Sequence, residues 1–118
     1  MAKTSITNTK MSFNTAVAVP ATVAVGSEGS EYIAEVNYKR KEDSRIVVIL
    51  ENSDSSAAKT VTVKKGTGLQ GVADLTIEVA ASAKMAVVLE SGKFINNDGN
   101  IVIAGTDTKV KVAAIELP

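Results

Sequence analysis

The chain has 118 residues, thirteen basic and thirteen acidic, and a formal net charge of zero. It contains no Cys and no His, which excludes a disulfide frame, a thiolate zinc site, a cysteine nucleophile, and the commonest general base and metal ligand. Balanced charge and only 3% aromatic residues also argue against nucleic-acid binding, where phosphate neutralisation and base stacking dominate.

This length suits one domain. The apolar fraction, 45%, is carried mostly by Val, Ala, Ile and Leu, and β-branched side chains favour pleated strands. No apolar run approaches the ~20 residues that cross a bilayer, and the N-terminus lacks the apolar core of a secretory signal. Synthesis in a reducing cytoplasm is expected, although a Cys-free chain suits an extracellular fate as well.

In chain order, residues 1–14 are polar with isolated apolar positions at Ile6, Met11 and Phe13, and read as an arm that orders only against a partner. "TAVAVPATVAVG" then alternates through Val17, Val19, Val23 and Val25. Pro20 makes it an edge strand or two short strands. In "EYIAEVNYK", Tyr32, Ala34, Val36 and Tyr38 share one face, and Glu31, Ile33, Glu35 and Asn37 the other. "RKEDS" is a charged turn. "RIVVILEN", "KTVTVKK", "DLTIEVA", "KMAVVLE", "KFIN", "NIVIAG" and "KVKVAAIEL" follow as strands. Asp98-Gly99 signals a type I′ hairpin turn. About eight strands at regular spacing, with no helix of stable length, predict an antiparallel β-sandwich or barrel over residues 15–118.

"KKGTGLQG" carries Gly66, Gly68 and Gly71 in the spacing of a dinucleotide-binding turn. A working fingerprint opens a helix whose N-terminus holds the pyrophosphate. Here "VADLTIEVA" follows with period two, so the glycines are expected to give a surface loop its positive φ values. Asn97, Asp98 and Asn100 match a fragment of a calcium loop and lack its distal Glu. Glu28, Glu31 and Glu35 have the residue type of a glycosidase pair but read as solvated charges on a strand face. The cluster Lys39, Arg40 and Lys41 runs straight into Glu42 and Asp43 and reads as a solvated turn. No Ser has a His to activate it. The expectation is a non-enzyme without cofactor or metal.

One feature calls for a partner. "RIVVILEN" is apolar on both faces, and "MAVVL" and "VAAI" are similar. A sandwich strand normally turns one face to water. Either the N-terminal segment folds over the second face or another subunit does.

From Arg45 onward the chain resembles a widespread set of small proteins encoded among the structural genes of tailed bacteriophages. The resemblance rests on "TVTV" at 60–63, "GLQGVADLT" at 68–76, "ESGKF" at 90–94 and "VAAIEL" at 112–117, and covers about two thirds of the chain. It implies a jelly-roll-like sandwich and a capsid decoration protein, a trimer on the outer shell bound to the major capsid protein, with neither nucleic acid nor membrane as partner. Synthesis would be in the bacterial host and the final location the virion surface. The residues expected at subunit and shell contacts are Ile6, Met11, Phe13, Val47, Ile49, Val87 and Phe94. The alternative is a carbohydrate- or receptor-binding module of a phage tail or fibre, for which the few aromatic residues are poor material.

Overall fold

A computed structural model of the chain describes residues 3–28, 31–38, 45–68 and 71–118. Eleven strands and one helical turn lie among them: β1 (Thr4–Ile6), β2 (Asn8–Lys10), β3 (Val23–Ala24), β4 (Gly26–Glu28), β5 (Glu31–Asn37), β6 (Ile46–Asn52), β7 (Lys59–Val63), β8 (Leu75–Val79), β9 (Lys84–Val87), α1 (Ser91–Phe94), β10 (Asn100–Gly105) and β11 (Val110–Glu116).

The strands form two sheets. One runs β1–β5–β10–β7–β8, with β4 also on β5; the other runs β2–β11–β6–β9, with β3 also on β11. Their facing sides make the core. Period-two alternation sends Ile46, Val48 and Leu50 of β6 inward against Val61 and Val63 of β7 and Ile101 and Ile103 of β10, all fully buried. Each such side chain contributes about 1.5–3 kcal/mol of burial. The alternation expected in β5 holds, with Ala34, Val36 and Tyr38 buried.

The N-terminal segment closes one flank. β1 pairs in parallel with β5, the chain steps across at Thr7, and β2 pairs in parallel with β11. β3 and β4 repeat the step in the other direction, on β11 and β5. Val25 at that corner is 1% exposed and donates its N–H to the Val110 carbonyl at 3.1 Å. The Thr4 hydroxyl donates to the Ala24 carbonyl at 3.0 Å, tying the two crossings together. On the opposite flank, β8 pairs with β7 and β9 with β6, and neither has a second partner among the described residues.

Several expectations change. The sandwich has eleven strands rather than about eight, and its sheets are mixed rather than purely antiparallel, because β1 and β2 add parallel edges. Residues 4–10, in the segment read as an arm, are these two strands. Residues 15–22, expected as strand, form none, and β3 begins only at Val23. "KFIN" is not a strand: residues 91–94 wind into α1 and leave Ile95 a single bridge to Ile101. The turn after it is not type I′. Gly99 has φ 81° and Asp98 is not left-handed. The Gly99 N–H donates to the Asn96 carbonyl, and the Asn96 N–H to the Asn100 carbonyl. That is a type I turn closed by a left-handed glycine, the usual three-residue hairpin loop.

Candidate functional site: exposed apolar surface

The seven residues expected at contacts fall into two groups. Ile6 (7% exposed) and Phe94 (8%) are inside the core. Val87 stands opposite Val48 in the β6–β9 register, so it too faces inward, at the edge of the core. Val47 and Ile49 lie on the outer face of β6, half-buried, beside Ile115 and Ala113 of β11. Met11 is half-buried and donates its N–H to the Glu116 carbonyl at 2.8 Å. Phe13, two residues on, is 78% exposed.

Part of the outer face of β6 and β11 is covered by the chain itself. On its way into β3 the chain leans over β11, and the Thr22 hydroxyl donates to the Glu51 carboxylate on β6. Ala113 faces outward yet is 2% exposed. Of the two covers that sequence reasoning left open, the N-terminal segment therefore supplies one. Its own valines remain uncovered: Val17 is 36%, Val19 78% and Val23 47% exposed. "MAVVL" is not buried on both faces. Met85 is 43% and Val88 54% exposed, because β9 is an edge strand.

The two ends of the sandwich differ. At one, Asn52 occupies the next inward position after Leu50 and is fully buried. Its Nδ2 donates to the carbonyls of Ala57 (2.8 Å), Val79 (3.1 Å) and Ala80 (3.3 Å), and its Oδ1 accepts the Asp54 N–H (2.9 Å). Sequence reasoning missed this hub. Its signal was a polar residue in phase with Ile46, Val48 and Leu50. Beside it Lys59 bridges Asp107 at 2.8 Å and Asp54 at 3.3 Å. The Ser56 N–H and hydroxyl, with help from Lys59, hold the Asp54 carboxyl at about 2. Lys59 likewise lowers Asp107 and is itself raised, first by Asp107 and then by Asp54. These are structural clamps that tie two loops to the start of β7.

The other end carries two pockets. One, about 310 Å³, is lined by Val72, Ala73, Asp74, Leu75, Lys93 and Phe94. Val72 at its mouth is 80% exposed. The second, about 340 Å³, is lined by Ile6, Thr7, Asn8, Lys10, Asn37 and Glu116. Asn8 Nδ2 donates to the Asn37 carbonyl at 3.1 Å.

The glycine loop lies between β7 and β8, with no helix after it. Gly66 is buried against the chain that follows α1, and a Cβ there would come within 2.8 Å of the Phe94 carbonyl carbon. Its N–H donates to Lys93 O at 2.9 Å, and the Thr67 N–H to Ile95 O at 3.2 Å. Positive φ is not the reason for these glycines, since among the described residues Gly99 is the glycine with positive φ. Close backbone approach is the reason at Gly66 and Gly71, whereas a Cβ on Gly68 would meet nothing nearer than 4.0 Å.

The carboxylates of β5, Glu31 and Glu35, do not pair with each other. Glu31 binds Lys64 at 2.8 Å, raising that lysine, and Glu35 binds Lys3 at 3.4 Å. Glu35 is 9% exposed rather than solvated. The basic cluster 39–41 with Glu42 and Asp43 lies outside the described residues, as does the side chain of Glu28. Among the described residues no group of three His, Cys, Asp or Glu side chains is placed to hold a metal ion, and no helix is long and apolar enough to cross a membrane. Comparison with protein-family models, curated proteins and solved structures returned no match.

Proposed function

We propose that the chain is a virion structural protein of a tailed bacteriophage, a capsid decoration protein that binds the outer shell as a trimer through a jelly-roll-like sandwich. The observation that carries the reading is the strand order. Setting β1, β2 and β4 aside leaves eight strands in two antiparallel sheets, β3–β11–β6–β9 and β5–β10–β7–β8. Numbered along the chain, these orders are first–eighth–third–sixth and second–seventh–fourth–fifth. Two interleaved Greek keys generate that order, in an architecture common among viral capsid and lectin domains. The exposed apolar residues Phe13, Val17 and Val19 support an association role. The action would be mechanical: each subunit adds contact area across neighbouring capsomers, and a trimer multiplies modest single contacts through effective concentration. Co-sedimentation of the purified chain with emptied heads of the phage that encodes it should show saturable binding. Heads that sediment without it overturn the reading.

The polar pocket favours a second reading. Asn8, Lys10, Asn37 and Glu116 around about 340 Å³ offer donors and acceptors of the kind that bind sugar hydroxyls, as a tail or fibre module would need. A glycan array with hits abolished by Asn8→Ala, alongside failure to bind heads, would favour it.

A further inference from the structure

The sheet β2–β11–β6–β9 has one closed edge and one open edge. On the open side the inward row runs from Leu50 to Met85 and from Val48 to Val87 and stops there, with Met85 43% exposed. β9 is four residues long, carries one charge, Lys84 at its start, and has no strand partner on its outer edge among the described residues. On the other side, the chain entering β3 contains residues 12–22, which bear no charge. Residues 16–19, "AVAV", have a strand's alternation and no strand partner, and Val19 is 78% exposed.

We propose that residues 16–19 of one copy add as a further strand to β9 of a second copy, and that repetition of this head-to-tail contact closes a ring. The ring size rests on the trimeric reading above; the contact itself does not. Four residues match the four of β9, and Pro20 then ends the pairing because it has no N–H to give a ladder. With the added strand antiparallel to β9, Val19 would lie beside Met85 and Val17 beside Val87.

The chain cannot make this contact with itself. Its ends are pinned at the closed edge, by Met11 on Glu116 and by Val23 on Val112. From there the position beyond β9 is four strand spacings away, roughly 19 Å, which takes about six residues each way. Residues 12–22 are too few to go, pair and return. Giving a segment on one side and receiving one on the other makes the contact heterologous, the type that closes into rings.

The absence of Cys makes the test direct. Two full-length variants, Val19→Cys and Met85→Cys, are purified and oxidised alone and mixed. The proposal expects a disulfide-linked dimer in the mixture at least tenfold above either variant alone, and a covalent ring from the double variant. It also expects Val19→Lys to reduce the light-scattering mass to one chain that still melts cooperatively, at a midpoint lowered only by the loss of association. A monomeric wild-type chain, or an oligomer whose mixture gives no excess dimer, overturns it; in the latter case the decoration reading survives. A cross-linked ring that ignores phage heads leaves the contact standing and removes the decoration reading.

Discussion

Gly71 lies directly on Gly66, so that a Cβ on Gly71 would come within 2.7 Å of the Gly66 carbonyl carbon. Both neighbours are backbone and cannot rotate away. Gly71→Ala and Gly66→Ala should each destabilise the fold by roughly 1–3 kcal/mol, the range of overpacking. Gly68, whose nearest atom to an added Cβ is 4.0 Å away, is the control, and Gly68→Ala should be near neutral. Urea denaturation of the three variants checks this; equal costs at all three positions would contradict the close-approach account.

Asn52 bonds to four backbone groups from a fully buried position. Asn52→Leu fills similar volume but leaves those groups without a partner. The expected loss is about 2–4 kcal/mol, since each buried group left unsatisfied costs about 1–3 kcal/mol. Thermal and urea melts check the magnitude. Ser53→Ala, one residue along but exposed, should cost less than about 1 kcal/mol.

Strands such as β6 and β11 are legible because their pattern is local: inward positions two apart are apolar, and both faces of "RIVVIL" are greasy. β1 and β2 are not. "TSI" and "NTK" are polar and become strands because β5 and β11 lie alongside, with Thr4 opposite Ala34 and Asn8 opposite Ala114. Residues 15–22 show the converse. Alternation tells which side chains share a face; it does not say that a free sheet edge is within reach. Phe94 reads as strand because it is apolar, yet α1 forms where the Lys93 carbonyl accepts the Gly66 N–H. The same logic governs the surface. That β6 needs a second cover is visible in its residues. That Thr22 brings part of that cover, while Val19 stays exposed, depends on distant pairing of β3 with β11.

The clamp on Lys59 sets a pH dependence at both extremes. Asp54 is held at about 2 against an ordinary value of 3.8, and Asp107 is lowered too. Their contribution is complete above the ordinary value and is lost as pH falls toward the lowered one. Lys59 is raised above 10.5, so its contribution is complete below that value and is lost as pH rises through the raised one. Stability should therefore be flat near neutrality, decline from about pH 4 to pH 2, and decline again above about pH 10.5. Lys59→Met should shallow both declines. Melting temperature measured across pH, with and without added salt, reads the effect; parallel curves for the two proteins would remove the clamp from the account.

Ile6 and Phe13 separate folding from association within the N-terminal segment. Ile6 is 7% exposed in the core and Phe13 is 78% exposed. Ile6→Ala should cost about 2–4 kcal/mol, as large-to-small changes in a core do. Phe13→Ala should leave the melt within about 0.5 kcal/mol of wild type, as exposed substitutions do, while weakening association with heads. Deleting residues 1–14 removes β1, β2 and Ile6 together and uncovers β5 and β11 along one flank. That truncation should therefore unfold at markedly lower denaturant, so its loss of head binding would not by itself identify a contact. The informative pair is the two point variants, each assayed by urea denaturation and by co-sedimentation. A Phe13→Ala protein that melts and binds like wild type would take Phe13 out of the proposed interface.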